Sequence, residues 1–367
     1  MRVLFINSVC GIKSTGRIVS DLADSFIKNG HEVRIAYGRD DAPEKYQSIS
    51  YRISSDYSVI INGIEARLFD NEGFNAVSST KKLIEWANTY DPDLLWLHNL
   101  HGYYINCELL FEWIKSRPNM TVKWTLHDCW AFTGHCTHFQ VVGCDRWKNG
   151  GCCSCPQYKE YPTSIFVDRS YKNYLNKKRI FCGVNNLTIY TPSVWLKKLV
   201  EDSFLKSYPV YVYPNPINKN VFKQTPSSIK EDLGLIYKKM ILGVSSVWNE
   251  RKGLNDCIEL AKNLDSSYCL VLVGLARKEL KDVPSNLICI PSTNDAYYLA
   301  KIYTAADLFL NLSVEETFSM TTAEAISCGT FAIVYKGTAC EELIDPKTGI
   351  AISHDMDDLI RTVKGLF

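Results

Sequence analysis

Short apolar runs alternate with amphipathic stretches along the chain, in two series separated by a segment, 214–226, that contains three prolines. The first series opens with the apolar run Arg2–Asn7, and apolar residues at helical spacing follow over 18–28. Strands that alternate with helices are typical of parallel sheets built from βαβ units. The sequence therefore predicts an α/β protein with two Rossmann-like, parallel-sheet domains, 1–213 and 214–367.

The apolar runs predict the strands of each domain. In the first domain they predict Arg2–Asn7, Glu32–Ala36, Asp93–His98, Val122–Leu126, Asn186–Tyr190 and Val210–Tyr213. In the second domain they predict Met240–Val244, Cys269–Val273, Leu287–Ile290, Leu308–Leu312 and Phe331–Val334. Helices are predicted over Ile18–Lys28 and Glu108–Lys115. Ligands of open α/β sheets bind outside the carboxyl ends of the strands, so we expect the site in a cleft between the domains.

The composition excludes several classes of protein. There are 41 Lys and Arg against 40 Asp and Glu, whereas nucleic-acid binders usually carry a basic excess. No apolar run reaches the roughly 18 residues of a membrane-spanning helix, and the opening run is too short for a secretory signal. We therefore expect a cytoplasmic protein whose 14 cysteines are core residues or metal ligands rather than disulfides.

The most informative segment is Asn311–Gly329, in which a strand, a polar loop and a helix follow one another. The helix is predicted to begin near Ser319, and its first backbone N–H groups are then unpaired. A helix N-terminus carries partial positive charge and suits phosphate or sugar oxygens. The candidate binding groups are the amides of Phe318, Ser319 and Met320.

Two glutamates flank the start of this predicted helix. Glu316 precedes it and Glu324 lies about two turns inside it, so one carboxylate can reach a sugar and the other a ribose diol. The alternative is an amphipathic helix with two solvated glutamates.

Two further segments of the second domain are candidates. Arg251 and Lys252 follow the strand Met240–Val244 and could neutralise a diphosphate, although surface charges are the ordinary alternative. The stretch Gly337–Glu341, with Thr348-Gly349 after it, predicts a turn that lets backbone approach a ligand closely.

The order and spacing of these segments resemble the retaining glycosyltransferases of family 4, which have the two-domain GT-B fold. Glu316 and Glu324 match that family's Glu-x7-Glu motif, and Arg251-Lys252-Gly253 matches its basic loop. Further matches are Gly30–Val33, Thr191–Ser193, Pro214-Asn215, Tyr303–Asp307 and Glu324–Gly329. The chain departs from the family's glycines at Pro216, Thr317, Ser319 and Thr338.

The resemblance implies a role for each matching residue. Glu324 would hold the ribose, Glu316 the donor sugar, and Arg251 and Lys252 the diphosphate. His127 matches the first-domain histidine that faces the donor sugar across the cleft, so His127 and Glu316 are the predicted catalytic residues. His98 and His127 each end a predicted strand, which is also where a buried structural histidine is common.

The resemblance also implies an activity. The chain would move a sugar, with retention, from a nucleoside-diphosphate sugar to a hydroxyl of a saccharide acceptor carried on polyprenyl diphosphate. The pathway would be capsule or exopolysaccharide biosynthesis, with no catalytic metal. The alternatives are a sugar-nucleotide 2-epimerase of the same fold and a non-catalytic scaffold held by zinc.

Six cysteines fall in an irregular insertion at about 129–156. Its sequence HDCWAFTGHC resembles a subgroup of bacterial polysaccharide transferases of the colanic-acid type. Cys152-x2-Cys155 has the spacing of a zinc knuckle, and two more thiolates would complete a tetrahedral site. The candidate zinc ligands are Cys136, Cys144, Cys152 and Cys155, and buried thiols are the alternative.

The stretch Arg169–Arg179 is basic, and its cations Lys172, Lys177, Lys178 and Arg179 lie close in sequence to Tyr171 and Tyr174. It could contact anionic lipid on the inner face of the cytoplasmic membrane, which would suit a lipid-linked acceptor. An ordinary solvated helix face is the alternative.

Overall fold

The computed structural model describes residues 1–277, 280 and 283–367. The chain divides into an N-terminal unit, Met1–Pro216, and a C-terminal unit, Ile217–Phe367. The division falls inside the Pro-rich segment, close to the boundary predicted after residue 213.

The N-terminal unit contains a seven-stranded sheet in the order β3-β2-β1-β4-β5-β6-β7, with every neighbouring pair parallel. Its strands are β1 (Arg2–Asn7), β2 (Glu32–Tyr37), β3 (Ser50–Arg52), β4 (Leu94–Leu97), β5 (Thr121–Thr125), β6 (Leu187–Thr191) and β7 (Val210–Val212). Its helices are α1 (Lys13–Lys28), α2 (Glu44–Gln47), α3 (Asp56–Phe69), α4 (Val77–Tyr90), α5 (Cys107–Lys115), α6 (Ser170–Phe181) and α7 (Val194–Glu201).

The C-terminal unit contains a six-stranded parallel sheet in the order β10-β9-β8-β11-β12-β13. Its strands are β8 (Lys239–Val244), β9 (Tyr268–Val273), β10 (Leu287–Ile290), β11 (Leu308–Asn311), β12 (Ala332–Tyr335) and β13 (Gly349–Ile352). Its helices are α8 (Ile229–Asp232), α9 (Leu254–Asn263), α10 (Ala296–Ala305), α11 (Met320–Ser327) and α12 (Met356–Gly365). Short 3-10 turns lie at Glu250–Lys252 and Ala339–Leu343.

The central strands are buried on both faces, which explains why they are continuous apolar runs. All four residues of β4 and all six of β9 are buried. In the C-terminal unit, alternate residues of β9 belong to two different apolar clusters, with Leu270 and Leu272 in one and Val271 and Val273 in the other. Helices cover both faces of a parallel sheet, as expected for this fold class.

The predicted strands are confirmed to within two residues at each end, and β3 and β13 are additional. At the predicted turn Thr348-Gly349, Thr348 ends a turn and Gly349 begins β13, where it pairs with Ala332. A Cβ on Gly349 would lie 2.3 Å from the Ala332 carbonyl oxygen. This glycine therefore serves the close approach of two strands.

The Cys-rich insertion is irregular, as predicted. Residues 133–169, all of which the structure describes, contain no helix or strand. The insertion is held to the end of α3 by Asp70, which is buried. Its Oδ1 lies 2.7 Å from Nδ1 of His135, and its Oδ2 accepts a 2.7 Å hydrogen bond from the Arg169 backbone N–H.

The basic stretch Arg169–Arg179 lies mainly on α6, and it is only partly a charged surface. Lys177 is 1% exposed, and its Nζ donates hydrogen bonds to the carbonyls of Trp130 (2.8 Å) and Thr133 (3.1 Å). The ammonium also lies 3.6 Å from the centroid of the Trp130 ring. Burial lowers the pKa of Lys177 to about 8. The prediction that Lys177 faces lipid is therefore wrong, because its ammonium is buried and hydrogen bonded inside the unit.

Candidate functional site

Each sheet has a point at which the direction of the connections reverses. In the C-terminal unit the chain runs from β8 outward to β10 and then returns to place β11 on the other side of β8. In the N-terminal unit the same reversal separates β1 from β4. The loops that leave the carboxyl ends of such strands diverge, and the crevice between them is where open α/β sheets bind ligands.

The loops after β8 and β11 carry most of the predicted donor residues. Arg251 and Lys252 lie in the 3-10 turn after β8, whose start is capped by the Asn249 side chain. The backbone N–H of Val314 donates to the Arg251 carbonyl at 3.0 Å, and Arg251 Nη1 donates to the Glu315 carbonyl at 2.9 Å. The two loops are therefore held together by reciprocal hydrogen bonds.

Lys252 and Glu316 form an ion pair between these two loops. Their side chains are 21% and 12% exposed, so the pair is mostly shielded from water. Ser313 Oγ also donates to Glu316 Oε1 at 3.4 Å. The backbone N–H of Ala339 donates to the Glu316 carbonyl at 3.1 Å. The predicted turn at 337–341 thus belongs to the same loop cluster.

Asn311, the last residue of β11, organises the start of α11. Its Nδ2 donates to Ser319 Oγ (2.6 Å) and Thr322 Oγ1 (3.0 Å), and its Oδ1 accepts from the Ser313 N–H (3.1 Å). Asn311 was not among the predicted site residues. Its position could have indicated a role, because it is an amide side chain that ends an otherwise apolar strand at the carboxyl edge of the sheet.

The N-terminus of α11 has the predicted form. Ser319 is the N-cap, in a left-handed conformation with φ 72°, and its Oγ accepts a hydrogen bond from the Thr322 N–H. The first helical backbone bond runs from Ala323 N to Ser319 O at 3.3 Å. The amides of Phe318, Ser319 and Met320 precede that bond, so the helix itself does not use them.

Glu324 lies inside α11 and is only 5% exposed. Its Oε2 accepts a 3.1 Å hydrogen bond from the hydroxyl of Tyr303, which is fully buried. Glu324 is therefore not the solvated glutamate of the alternative interpretation. A buried carboxylate with a fixed orientation can bind a diol through its remaining acceptor positions.

The N-terminal unit brings His98 and His127 together. They follow β4 and β5, which are neighbouring strands, and His98 Nδ1 lies 2.9 Å from His127 Nε2. The rings are stacked with centroids 5.2 Å apart. Burial lowers the pKa of His127 to about 4, although the charge of Asp128 acts in the opposite direction. Burial, with a smaller contribution from the charge of His127, lowers the pKa of His98 well below its usual range. Both rings are therefore neutral near pH 7.

The tautomers of this pair follow from burial. Among the described residues, His98 Nε2 is a buried atom without a hydrogen-bond partner. A buried lone pair without a donor costs less than a buried N–H without an acceptor. His98 therefore carries its proton on Nδ1 and donates it to His127 Nε2, which assigns the His127 proton to Nδ1.

A second polar pair lies beside the histidines. His101 Nε2 is 2.8 Å from Asp128 Oδ2, and His101 Nδ1 is 3.0 Å from the Tyr161 hydroxyl. Burial raises the pKa of Asp128, but the charge and hydrogen bond of His101 outweigh it and lower the pKa to about 2. This pair joins the carboxyl edge of the sheet to Tyr161 of the Cys-rich insertion. Nothing in the sequence indicated that Asp128 pairs with His101.

The four candidate zinc ligands lie in one region of the insertion. The Cys136 and Cys155 thiols are hydrogen bonded, which lowers the pKa of Cys136 to about 7 and raises that of Cys155. Burial raises the pKa of Cys152 to about 12, with smaller contributions from the charges of Cys136 and Cys144. Within the described parts of the chain, no three His, Cys, Asp or Glu side chains form a group that could hold a metal ion.

Residues 238–367, which make up most of the C-terminal unit, match the protein family described as Glycosyl transferases group 1. The whole chain shares its fold with Anabaena Alr3699/HepE, solved in complex with UDP and glucose. The TM-score is 0.65 at 14% identity, over 100% of this chain and 89% of that one. The predicted GT-B fold and the predicted resemblance to GT-B glycosyltransferases are confirmed.

Two curated relatives are similar over part of the chain. WcaC of Escherichia coli (strain K12), named as a colanic acid biosynthesis glycosyl transferase, is 32% identical over 119 residues, 31% of this chain and 28% of that protein. The alpha-galactosylglucosyldiacylglycerol synthase of Streptococcus pneumoniae (strain ATCC BAA-255 / R6) is 28% identical over 170 residues, 41% of this chain and 45% of that protein. The matches span less than half the length of either relative.

Proposed function

We propose that the chain is a glycosyltransferase that moves a sugar, with retention, from a nucleoside-diphosphate sugar to a hydroxyl of a saccharide acceptor. The observation that carries the proposal is the convergence of three loops at the β8–β11 reversal. They are 250–253, 312–319 and 337–341, and they surround the Lys252–Glu316 pair beside the N-terminus of α11.

The diphosphate of the donor would bind where positive charge collects. Arg251 and Lys252 supply two cations, and Lys252 has two N–H donors beyond the one directed at Glu316. The amides of Phe318, Ser319 and Met320 add the positive end of the α11 dipole. These groups would stabilise the charge that develops on the departing diphosphate, in place of a catalytic metal.

The two glutamates would orient the rest of the donor. Glu316 is fixed by Lys252 and Ser313 and would accept hydrogen bonds from sugar hydroxyls. Glu324, held by Tyr303, would accept both hydroxyls of the ribose. His127, which the resemblance assigns to the donor sugar, is neutral near pH 7 and so can donate without adding charge.

The acceptor and the location are proposed from the relatives. One is named for colanic acid biosynthesis and the other for synthesis of a glycosylated diacylglycerol, so the two names refer to a polysaccharide and a glycolipid. We therefore propose an acceptor linked to polyprenyl diphosphate and a cytoplasmic enzyme in peripheral contact with the membrane.

A thermal-shift panel of sugar nucleotides tests the donor site, since a ligand that binds the folded state raises the melting temperature. The stabilising donor is then incubated with and without saccharide acceptors. Transfer that requires acceptor supports the proposal, whereas conversion of the donor alone to an epimer would show a 2-epimerase. No shift with any nucleoside diphosphate would overturn it.

Structural zinc at Cys136, Cys144, Cys152 and Cys155 is a separate proposal, supported by the contact between Cys136 and Cys155. Because no three candidate ligands form a metal-binding group among the described residues, Cys144 and Cys152 would have to move towards that pair when the metal binds. A long segment without helix or strand gains stability from a metal that joins its ends. Metal analysis of protein purified without chelator should give one zinc per chain. A clearly smaller content would leave the four residues as ordinary free thiols.

A further inference from the structure

Helix α3 exposes its large apolar residues and buries its small ones, which reverses the pattern of a surface helix. Tyr57 is 74% exposed and Ile60 is 60% exposed, and Ile61 and Ile64 on the same face are also exposed. Residues at i, i+3, i+4 and i+7 share one face of a helix, so these side chains form a single stripe. Arg67 extends the stripe by one more turn and is exposed.

The opposite face of α3 explains why the stripe cannot turn inward. Gly63 and Ala66 are the buried residues of the helix. A Cβ on Gly63 would lie 3.4 Å from the Tyr103 ring, and Asn62 Nδ2 donates to the Tyr103 carbonyl at 3.0 Å. Small side chains in ordinary contact and one polar contact thus hold this face of the helix, with the isoleucines on the outer face.

The stripe continues onto the segment that precedes α6. The backbone N–H of Ile165 donates to the Arg67 carbonyl at 2.8 Å, which places this segment beside the last turn of α3. Ile165 and Phe166 are exposed, Phe166 by 75%. The guanidinium of Arg169 lies 6.0 Å from the centroid of the Phe69 ring, so cation and apolar surface are adjacent. On α6, Tyr171 and Leu175 are exposed as well.

The charges that accompany these apolar residues are mainly positive. Arg67, Lys172 and Lys178 are exposed, and Arg169 is partly exposed. Of the acidic residues, Asp56 is paired with Arg52. Asp168 accepts the backbone N–H groups of Cys155 and Ser170, so its charge is already engaged.

We propose that the exposed faces of α3, the 165–166 segment and α6, here called the α3–α6 surface, dock the protein on an anionic lipid bilayer. The inference extends the peripheral membrane contact of the proposed function and moves its centre from α6 to α3. Apolar side chains enter the headgroup region while neighbouring Arg and Lys meet anionic lipid. In the described residues no helix is long and apolar enough to cross a bilayer, so the contact is peripheral.

A second copy of this chain is a less suitable occupant. A symmetric contact between two copies would bring two sets of Arg67, Arg169 and Lys172 into one interface. Like charges brought together at an interface oppose association. An anionic bilayer can bury the apolar stripe in its headgroup region and place anionic lipids beside the cations.

Vesicle co-sedimentation tests the surface. The full chain is expected to bind phosphatidylcholine vesicles that contain phosphatidylglycerol, and to bind them at least about tenfold more tightly than vesicles without it. Ile60→Ser combined with Ile64→Ser, and separately Phe166→Ser, should each weaken binding at least about tenfold. The matched control is Ile236→Ser with Tyr237→Ser, which removes exposed apolar residues from the C-terminal unit and should leave binding unchanged.

The outcomes separate this inference from the proposed function. Vesicle binding that survives the α3 substitutions, or that is lost equally in the control, would overturn the inference. Concentration-dependent dimerisation in sedimentation velocity that disappears with Ile60→Ser and Ile64→Ser, without any vesicle binding, would assign the surface to a second copy. Normal vesicle binding with no sugar-nucleotide shift would leave the inference standing and reject the donor site.

Discussion

The ammonium of Lys252 is paired with the carboxylate of Glu316, across two loops that leave adjacent strands of the sheet. Lys252→Ala or Glu316→Ala removes one partner of a mostly shielded pair, so each should lower kcat/KM for transfer by about 100-fold or more. The double variant should cost less than the sum of the two, since the residues act as a unit.

The control for this pair is Lys262→Ala, which breaks an exposed ion pair with Glu259 on α9. Exposed pairs contribute little, so transfer should be unchanged. Circular dichroism and melting temperature establish that each variant is folded. Near-normal transfer by either site variant would refute the assignment of the pair.

Glu324→Gln should weaken donor binding, because an amide offers fewer acceptors to a ribose diol than a carboxylate does. The free energy of donor binding should weaken by about 1–3 kcal/mol, which raises Kd about 5- to 150-fold. Tyr303→Phe removes only the hydroxyl that orients Glu324 and should cost less. Calorimetric titration with UDP and with a second nucleoside diphosphate measures both, and Glu259→Gln is the neutral comparison. Equal Kd values for Glu324→Gln and the unchanged protein would remove Glu324 from the site.

The His98–His127 pair should make the N-terminal unit less stable in acid. Both histidines have folded pKa values below the unfolded value of about 6.5, so the unfolded chain binds more protons between pH 6.5 and about 4. The free energy of unfolding therefore falls as the pH is lowered through that window. Each histidine contributes a slope of at most about 1.4 kcal/mol per pH unit.

His98→Asn tests this pH dependence. The amide keeps a donor near Nδ1 for His127 but cannot titrate, so the slope should become shallower while transfer activity is largely kept. His98→Ala removes both the titrating ring and the donor to His127, so the slope should become shallower and transfer activity should also fall. Urea unfolding followed by tryptophan fluorescence reports the N-terminal unit, because every tryptophan except Trp248 lies there. An unchanged slope in His98→Asn would mean that His98 does not titrate differently in the two states.

Asp70→Asn should release the Cys-rich insertion from α3. The substitution leaves His135 without its carboxylate in a buried position, and we expect a loss of about 3 kcal/mol or more. The charge and hydrogen bond of Asp70 raise the pKa of His135 against the effect of burial. The stabilisation is thus present below the unfolded pKa of histidine and is lost as the pH rises through the folded pKa.

Limited proteolysis and urea unfolding measure this release. Cleavage within 139–166 should become faster in Asp70→Asn, while the C-terminal unit unfolds as before. His354→Ala, which removes an exposed histidine paired with Asp256, should change stability by less than about 0.5 kcal/mol. Equal cleavage rates in the two variants would show that the insertion is held elsewhere.

The strands could be predicted from sequence because buried parallel strands are uninterrupted apolar runs, as in β4 and β9. β3 and β13 could not, since they are short edge strands whose pairing depends on a distant neighbour. All three residues of β3 are half-buried, and the two middle residues of β13 are half-buried or exposed, so neither is a continuous buried run. The helix start at Ser319 was predictable because capping is a local interaction.

Long-range contacts account for what the sequence did not reveal. Lys177 reads as one more surface cation, and only the fold brings its ammonium to the carbonyls of Trp130 and Thr133. The role of Asn311 depends on a helix eight residues further along the chain. The exposure of the apolar stripe on α3 could not be predicted from the sequence either. An apolar helical pattern does not indicate whether other parts of the chain cover that face.

Gly253 joins the 3-10 turn of Arg251 and Lys252 to α9, with φ 72°, and a Cβ there would lie 2.3 Å from the Leu312 carbonyl oxygen. A change in one of these two loops will therefore affect the other, both in evolution and in engineering. Libraries that diversify residue 253 should return almost only glycine, and inserting residues into either loop should disturb both. Attempts to change donor preference have more freedom at side chains that rest on this junction than in the lengths of the loops that form it.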